Sequence, residues 1–270
     1  MIAPEQYPIL MMAVPLLAAF LLNLAGLVDR RLCYPVLLVA LAVSLLAALG
    51  VLDQVVRHGP VQYQLGGWPP PVGIEYVVDH LNGLILVVIT AVALLAAVAS
   101  KRSVEEELPH KLPHYYTLFI LAVVGLLGMT ITGDAFNLYV LMEITALTNY
   151  ALLAVGKEER ALPASFTYII IGTIGASFYL LGVGHLYIMT GSLNMADLKS
   201  ILPDLYQSSA VIGSFFILLL GIWIKMAFFP LHGWLPNAYT YAPAATASLI
   251  APLMTKVSVY IMIRLMFSVY

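Results

Sequence analysis

Charge is scarce in this chain and cysteine almost absent. Only 10% of its 270 residues are Asp, Glu, Lys or Arg, against about a quarter in a soluble domain. The sequence therefore cannot cover a water-exposed globule with polar side chains. A lone cysteine, Cys33, excludes an intrachain disulfide. The chain also lacks a nucleophile elbow, a phosphate loop, a dinucleotide fingerprint and any Cys/His cluster, so nothing in it points to bond-breaking chemistry or to a bound cofactor. With a net charge of −2 and scattered basic residues, it offers no electrostatic footprint for nucleic acid. No basic residue precedes Arg30 and no small-residue cleavage site follows the first apolar run, which reads as a retained helix rather than a signal peptide.

Hydrophobicity is what the chain has in excess: 62% of residues are apolar and the mean hydropathy is +0.97. Apolar runs longer than the roughly 18 residues needed to cross hydrocarbon recur along the whole length. Only helices and closed barrels satisfy the backbone in lipid, and this pattern predicts an all-α integral membrane protein of about eight transmembrane helices. The expected spans are Pro8 to Leu27, Leu32 to Val55, Val77 to Ser100, Pro113 to Thr132, Asp134 to Val155, Ala164 to Gly191, Ala210 to Phe229 and Pro243 to Ser268. Between the second and third lies a long loop, 56–76, whose alternation around a Gly/Pro cluster suggests a hairpin or capped loop. Arg30, Arg31, Lys101, Arg102, Lys111, Lys157 and Arg160 fall on one side of the membrane, and only Arg57 and Lys199 on the other. The basic side is expected to be cytoplasmic, placing both termini outside a multi-pass protein of the cell's inner membrane.

Three ionisable residues lie deep within spans. Glu143 is roughly 14 Å along the fifth, with Tyr139 and Tyr150 on its face. Lys225 is roughly 22 Å along the seventh, a turn before Pro230, which removes a backbone donor and clashes with the Met226 carbonyl. A helix break is therefore expected at Pro230, extended by His232 and Pro236. Lys256 sits in the eighth span, with Tyr260 and Ser248 on a similar face. A cation at such depth costs roughly 3 kcal/mol by insertion scales, and broken helices at membrane depth often mark transport sites. An ammonium in poorly solvated surroundings releases its proton more readily, while a carboxylate within about 6 Å retains it. Glu143, Lys225 and Lys256 are thus the candidate proton-translocating residues, with His232, Tyr139, Tyr260, Ser248 and His185 as candidate relay or gating groups; for His185 a hydrogen-bonded structural role is the preferred reading over a place in a proton path. A static ion pair that fixes packing is the competing reading. Arg264 is expected to snorkel to the interface and Asp79 to lie there too. His110 and His114 have metal-pair spacing, but Pro109 and Pro113 oppose the helix that would make them converge, so no metal site is assigned. Small residues at Gly172, Gly175, Ala176 and Ser177 read as close helix packing.

At these residues the chain resembles the antiporter-like subunits shared by Mrp-type cation/proton antiporters, respiratory complex I and membrane-bound hydrogenases. The matching stretches are Leu65 to Asp79, with its Gly-Gly-Trp-Pro-Pro-Pro run, Thr132 to Glu143, Thr190 to Asp197, Lys225 to Pro236, Ala242-Pro243 and Thr255-Lys256. The Gly-Gly-Trp-Pro-Pro-Pro loop and the Asn-Met-Ala-Asp segment are most similar to the Mrp D subunit. The resemblance implies a central proton path through Glu143, Lys225 and Lys256. It also implies leading helices over 1–112 and the first of two inverted five-helix repeats over 113–270, with the second repeat supplied by a partner membrane subunit or by the rest of a longer chain. Protons, with sodium as a counter-ion, are the implied cargo. Asn237 stands where the family usually has aspartate, removing a charge near the broken helix, and Tyr239 where many complex I relatives have histidine. The function so implied is a proton-translocating half-channel of a multisubunit antiporter. A redox-driven pump and a structural assembly module are the other readings.

Overall fold

A computed structural model describes residues 6–270. Its elements in chain order are α1 (Tyr7–Val28), α2 (Cys33–His58), β1 (Val61–Gln64), β2 (Glu75–Val78), α3 (His80–Glu107), α4 (Leu112–Ile131), α5 (Ala135–Ala154), α6 (Ala161–Thr190), α7 (Met195–Ile201), α8 (Ser209–Lys225), α9 (Leu235–Tyr241) and α10 (Ala244–Ser268). Among the described residues six helices, α1, α2, α3, α4, α6 and α10, are long and apolar enough to cross a membrane, and α8 is a shorter apolar helix. With α5, these occupy the positions of the expected spans in an all-α membrane fold.

Three boundaries differ from expectation by three residues or more around the third and seventh spans. The third span starts at His80 rather than Val77, because Val77 and Val78 belong to β2 and Asp79 closes a capping box with Asn82. The same helix runs on to Glu107 through a charged stretch expected as loop, where Arg102 pairs with Glu106 one turn on. The seventh span ends at Lys225 instead of Phe229.

α4 lies at the centre, packed by α1, α3, α5 and α10, and almost every residue from Phe119 to Ile131 is buried. The expected hairpin forms: β1 and β2 pair antiparallel with Val61 opposite Val78 and Gln64 opposite Glu75. It is tied to the helix ends around it, since the Gly133 amide donates to the Glu75 carbonyl and the Met195 amide to that of Gly133. The opposite end of the bundle gathers the basic loops. There Arg30, Arg31 and Lys101 line one groove, Lys157 shares another with Tyr241, and Arg160 donates to the Tyr241 hydroxyl.

α6 and α8 cross where neither helix carries a side chain. A Cβ on Gly221 would lie 2.6 Å from the Gly175 carbonyl oxygen and 2.7 Å from the Tyr179 nitrogen. Both are backbone atoms that cannot swing aside, so close approach here depends on glycine. Gly221→Val is expected to push α8 off α6 and cost about 1 to 3 kcal/mol, measured as a lower melting temperature of the purified protein in detergent.

Candidate functional site

The site forms where α5 faces the end of α8. The Asp134 carboxylate accepts from the Asn137 amide and starts α5, which places Glu143 roughly 12 Å along the helix. α8 stops at Lys225, and the chain leaves helical geometry before Pro230, with Ala227 in the left-handed region at φ 56°. The final turn is latched by Trp234, whose Nε1 donates to the Ile224 carbonyl at 3.1 Å. Its indole stacks on the Tyr168 ring, centroids 4.3 Å apart and planes 2° from parallel. Lys225 Nζ then donates to Glu143 Oε1 at 3.3 Å. The lysine side chain is 7% exposed and the glutamate 24%, so the pair is shielded without being sealed.

Pro230 lies in the non-helical turn after α8, as expected of a break. Pro236 does not break a helix: it occupies the first turn of α9, where a missing amide costs nothing. His232 is exposed in the same turn, its ring 5.5 Å from that of Phe229. Tyr139 is half-buried on α5. Tyr150 is buried against Gly172 of α6, with a hydroxyl that finds no protein partner.

The other expected relays are arranged differently. Lys256 is exposed on α10 and donates to its own helix at the Ala251 carbonyl, 2.7 Å away, rather than joining the buried pair. It shares an open stripe with Ala244, Ser248 and Pro252, and Ser248 donates to the Ala245 carbonyl. Tyr260 is not on that stripe. It is buried, donates to the Thr130 carbonyl at 3.0 Å and accepts from Arg264 Nε at 3.0 Å. The i+4 spacing from Lys256 overstated their shared face because the helix turns only 3.6 residues per revolution and α10 packs closely there. His185 bonds back to the Leu181 carbonyl of its own helix at 2.8 Å, which satisfies the ring locally.

Sequence reasoning missed several polar groups. Asn149 and Tyr168 both donate to the Met254 sulfur, at 3.3 and 2.7 Å, and Asn149 Oδ1 and the Tyr239 hydroxyl are buried without partners. They lie with Tyr150 in a core shared by α5, α6, α9 and α10. Arg264 and Asp79, expected to face the interface separately, instead form a second ion pair at 2.6 Å. That both fall near one end of their spans was the available signal.

Burial alone would push the Asp79 carboxyl up, but the Arg264 guanidinium and the amides of Asn82 and Leu81 hold it below the ordinary carboxylate range. Because the folded-state value is depressed, the pair's stabilisation is present above the unfolded carboxylate value and lost as pH falls through the folded one. Asp79→Asn is expected to lower the melting temperature at neutral pH. Its difference from wild type should shrink as pH drops below about 4, measured by thermal melts across pH.

Comparison with known proteins sets this geometry in a family. Residues 132–270, which hold both members of the buried pair, match the model of the NADH:quinone oxidoreductase/Mrp antiporter transmembrane family. The chain is 47% identical over 267 residues to the N subunit of the NADH-quinone oxidoreductase of Desulforudis audaxviator, covering 97% of this chain and 52% of that protein. It is 33% identical over 261 residues to the D subunit of the Na(+)/H(+) antiporter of Bacillus subtilis, covering 96% and 52%. Among solved structures, a chain of the membrane-bound sulfane sulfur reductase, an archaeal respiratory membrane complex, superposes with a TM-score of 0.91 at 36% identity, over 96% of this chain and 53% of that one. The chain thus spans about half the length of the curated relatives it matches. Its similarity extends to redox-linked and antiporter subunits alike, and is not confined to the Mrp D side. A multi-pass helical membrane protein with a charged pair at a broken helix, it belongs to the NADH:quinone oxidoreductase/Mrp antiporter transmembrane family.

Proposed function

We propose that this chain forms a proton-translocating half-channel in a multisubunit membrane complex, with Glu143 and Lys225 as the exchanging pair. The observation that carries the reading is the 3.3 Å ion pair placed where α8 ends and the backbone becomes irregular. Non-helical backbone at membrane depth is tolerated only against protein or a wet cavity. A lysine held there by one carboxylate would release its proton when the carboxylate moves away and reload when it returns. The partnerless oxygens of Asn149, Tyr150 and Tyr239 would supply polar stations in the core of α5, α6, α9 and α10. Lys256, on the open stripe of α10, would pass the proton to the remainder of the fold, whether that lies on this polypeptide or another. The exposed Phe228, Phe229 and His232 would meet the same neighbour. In this reading 1–112 are leading helices and 113–270 a five-helix antiporter repeat. The basic loops face the cytoplasm and both termini face outward in the inner membrane.

Sodium/proton antiport is the reading inherited from the antiporter relatives; among the described residues no group of three or more histidine, cysteine or acidic side chains is placed to hold a metal ion, and in this reading sodium binds elsewhere. Redox-driven proton pumping is favoured by the 47% identity to a NADH-quinone oxidoreductase subunit. The identities of copurified subunits separate the two. The shared claim is tested by proton flux into vesicles bearing the complex: Glu143→Gln is expected to assemble normally and lose at least about tenfold in ion-linked flux, the order expected of removing a proton-transfer group. Unchanged flux in an assembled variant would remove the assignment.

A further inference from the structure

At the basic end of the bundle, a groove of about 600 Å³ opens between the α1–α2 turn and the α3–α4 turn. It is lined by the cations Arg30, Arg31 and Lys101, by Tyr34 and Tyr116, and by one acid, Glu105. Asp29 is also close, but one of its carboxylate oxygens accepts the Arg31 amide and caps the turn. Among the described residues, none of the three cations forms an ion pair, whereas Arg102, on the same helix as Lys101, is paired with Glu106. Lys101 Nζ is held 4.8 Å above the Tyr34 ring. A second, independent feature points to a ligand: Tyr116 is 1% exposed, lines this groove, and its buried hydroxyl has no partner.

We propose that this groove binds the headgroup of an anionic phospholipid. A phosphodiester carries one negative charge and acceptor oxygens that can take bonds from guanidinium, ammonium and phenolic donors together. Basic pockets between transmembrane helices on the cytoplasmic side suit such headgroups. The hydrocarbon continuation favours a lipid over free phosphate. Below the groove an exposed apolar stripe, Pro35, Val39, Val43 and Leu46, runs down α2 along the path an acyl chain would follow. The site lies apart from the Glu143–Lys225 pair, so it stands or falls independently of proton translocation.

The test is native mass spectrometry of the full chain, delipidated in detergent and titrated with phosphatidylglycerol, phosphatidylcholine or inorganic phosphate. Phosphatidylglycerol is expected to be retained and phosphatidylcholine to bind far more weakly. The triple variant Arg30→Gln, Arg31→Gln, Lys101→Gln is expected to bind phosphatidylglycerol at least about twentyfold more weakly, since each cation near an anionic headgroup contributes about a fivefold factor. Tyr116→Phe, which removes only the partnerless hydroxyl, should weaken binding about threefold, and Arg102→Gln, whose charge is already paired, should not change it. Undiminished binding in the triple variant or in Tyr116→Phe would overturn the proposal. So would equal binding of phosphatidylcholine, an Arg102→Gln loss as large as that of a groove cation, or displacement of the lipid by equimolar phosphate.

Discussion

Lys225→Ala is expected to lower ion-linked proton flux at least about tenfold while leaving the amount of assembled complex close to wild type. The two readouts separate because of where the partner sits. Breaking a fully buried ion pair costs about 3 to 5 kcal/mol, as a charge is stranded without compensation. Glu143 is not so placed: its side chain is 24% exposed, so the carboxylate is not sealed in once the ammonium is gone. The stability cost should therefore be smaller, about 1 to 2 kcal/mol after that discount, within what a large helical assembly tolerates. If the pair only fixed the packing of α5 against α8, abundance and flux would fall together. The measurement is flux per assembled complex in vesicles, with abundance quantified in the same preparation.

Trp234→Ala should have the second large effect, by freeing the turn that positions Lys225. The indole is 1% exposed, stacks on Tyr168 and donates to the Ile224 carbonyl in the last turn of α8. Its removal leaves a cavity between α6 and α9 and takes one donor from the Ile224 carbonyl, which keeps the Ala227 amide, at a cost of about 3 to 5 kcal/mol that comes mainly from the lost packing. Because residues 226–234 are not held by a regular helix, the loss should appear first as local opening. Hydrogen exchange over 226–241 is expected to accelerate strongly while α4 stays protected. Trp234→Phe keeps a ring for stacking but not the donor, and should cost only about 1 kcal/mol. Equal exchange in Trp234→Ala and wild type would show that the turn is held by other contacts.

The parts of the site legible in the sequence were those set by depth and by local chemistry. Glu143 and Lys225 could be matched because two opposite charges at similar depth in lipid have few ways to lower their energy other than meeting. That the helix breaks ahead of Pro230 was visible, although α8 stops earlier, at Lys225, and the hairpin was visible in its alternating residues around Gly and Pro. What could not be read was which face each helix turns inward. On α10, Lys256 points outward and Tyr260 inward although one turn separates them, because the rotation of a helix is set by its neighbours. Asp79 and Arg264 are separated by 185 positions in the chain, so spacing could not announce their pairing, and snorkelling was the simpler expectation for each alone. The latch by Trp234 was hidden for a different reason: an aromatic residue in a membrane sequence resembles any other apolar side chain until its N–H finds an acceptor.

The most direct test is Lys225→Arg in the assembled complex. Arginine keeps the positive charge and can still pair with Glu143, so every static contribution of the lysine is approximately retained. It cannot release its proton at working pH. Proton flux per assembled complex is predicted to fall nearly as far as in Lys225→Ala, and flux equal to wild type would contradict the account, because a residue that never gives up its proton would then suffice.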